Sequence, residues 1–296
     1  MKHSTIVGSV VTWAIAFFHT QPVMAAGLFF SLSGSGVACS QSAPCSLPTA
    51  ISAANPDEEL SCADNSDSDA GGLITKTLTI DCAGTAGSVN NIIIGGGAVV
   101  TLRNFTIWQV NYGIEVQSGT LIVDNVHITG AANAIVAQVT APSTIIVRNC
   151  VFDTGTGGAV LLQPTSGGSI NATFDHVTIA KNGGGGIHAD SSNGPINVDI
   201  ADSTINDNVD NGLAVSAGSS GQNNIISIAH TTIAKNGLAG IEANGSNVLV
   251  LVDATLLDSN AGGATEVLNS GRILSFVNNR IVGSPGSGFT GNASLQ

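Results

Sequence analysis

Two stretches, INATFDHVTIAKNGGGGI (170–187) and INVDIADSTINDNVDNGL (196–213), align without a gap at an offset of 26 residues. In each, small or apolar residues alternate with polar ones up to an anchor, Ile179 or Ile205. A polar turn holding Asn182 or Asn208 follows, and then a Gly-plus-apolar pair, Gly186-Ile187 or Gly212-Leu213. Working outward from these two copies, the anchors recur as Ile107, Ile128, Phe152, Ile179, Ile205, Ile233, Leu257 and Ile281, at intervals of 21, 24, 27, 26, 28, 24 and 24 residues. Five residues before them stand Leu102, Val123, Val147, Phe174, Ile200, Ile228, Val252 and Phe276. Seven before stand Val100, Leu121, Ile145, Ala172, Val198, Ile226, Val250 and Leu274. A period of two with one apolar side is the mark of strands with one buried face.

A unit of two or three short strands cannot bury its own apolar face, so the units must stack. Stacked equivalent strands, about 4.8 Å apart, form parallel sheets around one continuous core, and eight rungs make a rod on the order of 40 Å long. Asn182, Asn208, Asn236 and Asn260 recur three residues after their anchors and are placed to hydrogen-bond in a ladder. Leucine-rich repeats need a leucine pattern and a helical return that are absent, and a propeller blade needs about twice the period. The expected fold is all-β: a right-handed parallel β-helix of about eight or more coils with a short N-terminal capping helix, the handedness following the usual crossover rule.

Composition agrees. The 296 residues carry 8 Lys+Arg against 20 Asp+Glu, a net charge of -12, which excludes the basic stripe that nucleic acid requires. Charged residues are only 9% and mean hydropathy is +0.34, so the chain is not disordered. At the start, Lys2 precedes an apolar run from Ile6 to Phe18, and the small residues Ala25 and Ala26 follow. The run is shorter than the ~20 residues of a membrane span, so residues 1–25 read as a signal peptide and no membrane span is expected. The mature protein is then secreted, periplasmic or on the cell surface. Export permits disulfides, and the spacing of four cysteines suggests Cys39 with Cys45 and Cys62 with Cys82, although other pairings are open. Cys150 sits in a strand pattern as a small core side chain.

The chain resembles the secreted bacterial right-handed β-helix proteins of the pectate-lyase-like superfamily. The resemblance rests on Ala43-Pro44-Cys45, a helix-like stretch from Thr49 to Ala54, the segment Ile74 to Cys82 and the repeats. It implies a cap over residues 46–56, and the expected organisation is a cap region at 26–74, a β-helix at 75–282 and a flexible tail at 283–296. The complete calcium-acid, Gly-His-Gly and Arg-x-Lys motifs of pectate lyases and polygalacturonases are absent.

Outward positions of a stacked coil form columns. Nine residues after successive anchors stand Leu161, His188, Ala214, Glu242 and Glu266, with Asp190 on the same face as His188. Paired carboxyls about 5–5.5 Å apart suit a retaining glycosidase, which makes Glu242, Glu266, His188 and Asp190 the catalytic candidates if the protein is an enzyme. Arg103, Asp124, Arg148 and Asp175 form an alternating-charge column suited to pairing between rungs. Trp108 and Tyr112 are candidates for stacking on a sugar, or for burial under the cap. No metal centre is expected; the acidic stretches Asp64 to Asp69 and Asp202, Asp207 and Asp210 admit at most a weak calcium site. The leading expectation is a non-catalytic protein that binds carbohydrate or serves as an envelope or surface scaffold. The alternatives are a polysaccharide lyase or glycosidase, and an adhesin or assembly module that self-associates.

Overall fold

A computed structural model describes residues 27–294 apart from 32, 65–66, 69–70, 84–87, 90, 109–110, 166, 219–223 and 286–287, so the leader read at residues 1–25 lies outside the described residues. The chain visits three parallel sheets in turn. Among the described residues the first has 12 strands, from Leu28–Phe30 to Gly291–Asn292; the second has 10, from Asp67–Ser68 to Arg280–Val282; the third has 9, from Gly72–Ile74 to Gly263–Leu268. All named strand pairs are parallel, and each strand joins the equivalent strand one coil away, as a solenoid requires. The ladders thus begin before residue 75 and continue past residue 282.

The anchors stack in one continuous column of the second sheet, Ile107 on Ile128, then Phe152, Ile179, Ile205, Ile233, Leu257 and Ile281. The two apolar columns of the first sheet keep the expected register up to Val250 and Val252. At the last coil they do not. Ile273 pairs with Val250 and Ser275 with Val252, so these residues, rather than Leu274 and Phe276, enter the core columns. One extra residue lies between Ser275 and Ile281, and the turn absorbs it with Val277 at φ 70°. A one-residue slip moves a strand's side chains to its other face.

Two sharp corners explain why the coil closes so tightly. Between the first and second sheets a single left-handed residue turns the chain: Asn104, Asn125, Asn149, His176, Asp202 and His230 all have φ between 47° and 64°. Asn, Asp and His tolerate that region best among non-glycine residues. Just inside the next corner, Asn182, Asn208, Asn236 and Asn260 are buried in the expected ladder. Nδ2 of each of the first three donates to Oδ1 of the next, at 2.9, 3.0 and 2.9 Å. The same Oδ1 atoms accept the backbone N–H of the preceding asparagine, and each Nδ2 also donates to a carbonyl such as Ile179 O or Ile205 O. One rung earlier Gly155 replaces asparagine. Its N–H donates to Asn182 Oδ1, and a Cβ there would come within 2.8 Å of that oxygen.

At the N-terminal end the helix Leu47–Ala53 covers the stack. Ser46 caps it, Pro48 sits in its first turn, and Leu47, Ala50 and Ile51 are buried against the sheets. Lys76 Nζ donates to Ser52 O and Ala54 O, satisfying carbonyls at the helix C-terminus. A Cβ at Gly72 would lie 2.7 Å from Ile51 Cδ1, so glycine lets helix and sheet approach. Both suggested disulfides are present, Cys39–Cys45 and Cys62–Cys82, and Cys150 is free and buried. Burial pushes the Cys150 thiol up to about 11. Because Cys62 and Cys82 are 20 residues apart, replacing both with serine is expected to lower stability by about 3 kcal/mol, measurable as a shift of the urea midpoint at constant slope.

Candidate functional site

The outward column of the third sheet has the register expected from the repeat: Leu161 pairs with His188, His188 with Ala214, Ala214 with Glu242 and Glu242 with Glu266. Ala214 carries only a methyl group between two long side chains. The resulting gap is a hollow of about 330 Å³, lined by Gly185, Ile187, His188, Asp210, Asn211, Ala214, Leu238 and Glu242. A second hollow of about 240 Å³ lies against it and shares Gly185, His188 and Asp210; Asn133, Gly158, Leu161 and Gly184 help to line it. Together they make a groove beside the third sheet that crosses several rungs. Tyr112 pairs in register with Asn133, which places it one rung beyond the end of the second hollow.

Glu242 is held at one end. Asn211 Nδ2 donates to Glu242 Oε2 at 2.6 Å, while Asn211 Oδ1 accepts the backbone N–H of Ala239 at 2.8 Å. Asn211 is itself buried, so it fixes the carboxylate instead of following it. His188 and Asp210 are exposed where the two hollows meet.

The four catalytic candidates therefore separate. His188 and Glu242 share a hollow. Glu266 is the next residue of the column but lies outside the lining. Asp190 holds a turn, accepting from Ser192 Oγ at 2.5 Å, from Ser192 N at 3.0 Å and from Gln163 Nε2 at 3.0 Å. Partial burial raises the pKa of Asp190, but the bonds from Ser192 and Gln163 and the charge of nearby His188 outweigh it, so its carboxyl stays below the ordinary carboxylate value. Asp210, Asn211 and Leu238 belong to the groove without having been singled out for it. The available signal was Ala214, a small residue flanked in its column by His188 and Glu242.

Of the other candidates, Trp108 and Tyr112 are both on the surface, 41% and 38% exposed, rather than under the cap. They stand on different sheets, Trp108 paired with Thr129 and Tyr112 with Asn133. In the acidic stretch at 64–69, residues 65, 66 and 69 lie outside the described residues. Asp202, Asp207 and Asp210 go to three places. Asp202 approaches Asp175 and His176, whose ligand-capable atoms lie within 4.8 Å of one another on the exposed rim. Asp207 accepts from Asn206 Nδ2, and Asp210 faces the groove. The alternating-charge column pairs at its start, where Arg103 Nε meets Asp81 Oδ2 at 2.6 Å and Arg103 also reaches Glu59. Burial raises the pKa of Asp81, but bonds from Asn104, the Ala83 N–H and Arg103 pull it below its ordinary value. Further along, among the described residues, no ion pair joins Asp124, Arg148 and Asp175; Asn149 Nδ2 bonds to Asp124 and His176 Nδ1 bonds to Asp175.

Three parallel sheets closed by left-handed corners and an internal asparagine ladder define a parallel β-helix with a groove on one face. The family model described as a right-handed β-helix region matches residues 78–228, slightly more than half of the chain, and the protein belongs to that family. The crystal structure of pectate lyase Pel9A is similar to it with a TM-score of 0.53 at 14% identity, over 90% of this chain and 78% of that one. No curated protein matches the sequence. Among the described residues, no helix is long and apolar enough to cross a membrane.

Proposed function

We propose that the protein is exported and binds a polysaccharide laid along the groove from Tyr112 past His188 to Glu242. The observation that carries this reading is the pair of contiguous hollows that meet at His188 and Asp210 and run parallel to the stack. A sugar residue is comparable in length to one rung, so successive residues meet successive rungs. Tyr112 at one end offers an apolar ring face with a polar tip. The fold likeness to a pectate lyase and the two disulfides support an extracellular, glycan-directed role. The proposed binding needs no metal, so EDTA leaves it unchanged.

The test is size-exclusion chromatography of the mature protein with a panel of plant and bacterial polysaccharides. Filling the hollow with Ala214→Phe is expected to weaken binding at least tenfold while the melting temperature stays within a few degrees. Binding that survives Ala214→Phe in full would remove the groove reading. His188, Asp210 and Glu242 around one hollow also favour a second reading, cleavage of the bound chain by a lyase or glycosidase. Shortened polymer that disappears with Glu242→Gln would establish it. An assembly role instead predicts a mass above that of one chain in light scattering.

A further inference from the structure

Charge tells which glycans suit the groove. Asp210 and Glu242 line one hollow, and Glu266 stands a rung beyond Glu242. No Lys or Arg lines either hollow. The cations on the same corner, Lys181 and Lys235, sit on its exposed rim outside the lining. Among the described residues, no ion pair reaches Asp210, Glu242 or Glu266, and the bond to Glu242 comes from the neutral amide of Asn211. His188, which lines both hollows, is the one lining side chain among the described residues able to carry positive charge, so no permanent cation faces these carboxylates, in a protein whose net charge is already -12. A polyuronate would bring more negative charge to them. A glycan with free amines would bring the missing cations and form charge-assisted hydrogen bonds at rung spacing.

We infer that the ligand of the groove is an amino-sugar polymer with at least some unacylated amines, and that Asp210 and Glu242 receive its ammonium groups. This rests on the groove reading above and adds the ligand's chemical class to it. It also separates two roles within the site: the hollow and Tyr112 supply shape, and the two carboxylates supply selection. Uniform attraction of a cationic polymer to an acidic protein is the competing explanation. Asp199, exposed on the first sheet in register with Thr173 and Ser227, is a control with the same charge at a different place.

The experiment is calorimetric titration at mildly acidic pH, where the amines are protonated, with three hexasaccharides: glucosamine, N-acetylglucosamine and galacturonate. The amine form is expected to bind on the order of tenfold more tightly than the N-acetyl form, with galacturonate weakest. Glu242→Gln and Asp210→Asn should each cost the amine form about tenfold more affinity than they cost the N-acetyl form. Asp199→Asn should leave both unchanged. An equal loss with Asp199→Asn would reduce the effect to bulk attraction and overturn the inference. Galacturonate binding as tightly as the amine form would also overturn it. If sugars bind without charge preference but are blocked by Ala214→Phe, the groove reading stands and the charge inference falls. If none of the three binds, both fall.

Discussion

Replacing Asn208 with leucine is expected to lower the unfolding free energy by about 3–5 kcal/mol, read from the urea midpoint. The side chain is buried, accepts from the backbone N–H and Nδ2 of Asn182, and donates to Asn236 Oδ1 and Ile179 O. Leucine removes these partners together and leaves several donors and acceptors unmade in a place that water does not reach. Each orphaned group costs roughly 1–3 kcal/mol, and the sum falls short of simple addition because the rungs relax. The matched control is Asn197→Ala on the surface, where Nδ2 makes a similar bond to Asn171 Oδ1 at 3.0 Å. Water replaces that bond, so its loss should cost less than about 1 kcal/mol. Equal costs at the two sites would refute burial as the source of the ladder's strength.

The second large effect is expected at Phe174. It is fully buried in the first-sheet column between Val147 and Ile200, and the smaller Ala172 occupies the same face two residues earlier. Phe174→Ala should cost about 3–5 kcal/mol through lost transfer energy and the cavity left behind. The neighbouring alanine supplies an internal test. Ala172→Ile alone overpacks the core and should cost about 1–3 kcal/mol. In the Phe174→Ala background the same change fills part of the void, so the double variant should be more stable than Phe174→Ala alone. Additive losses in this cycle would show that the two positions do not share space.

The repeat was legible because one physical requirement, burying alternate residues in every coil, is written eight times. Errors in any single coil are outvoted by the others, so the anchors from Ile107 to Ile281 all fell in one column. Where the vote ended, so did the accuracy: the last coil carries an extra residue before Ile281, and Leu274 and Phe276 were assigned one position too far. The groove was only half legible. Period two places His188 and Glu242 on one outward column, but which side chains converge depends on the corner that brings Asp210, Asn211 and Leu238 beside them. Corner lengths vary from coil to coil, so no column arithmetic reaches across them. Asp190 showed the same limit, since its proximity to Ser192 is a matter of local turn geometry.

The asparagine ladder has a direction. Every side-chain amide from Asn182 to Asn236 gives its proton toward the C-terminal neighbour and receives one from the N-terminal side. A coil is therefore an interchangeable module with a fixed top and bottom. Inserting or deleting a whole coil joins an acceptor to a donor again, whereas removing one residue does not. Such a scaffold can grow or shrink by duplication during evolution with its interior contract unchanged, while outward positions such as His188 and Glu242 remain free to diversify.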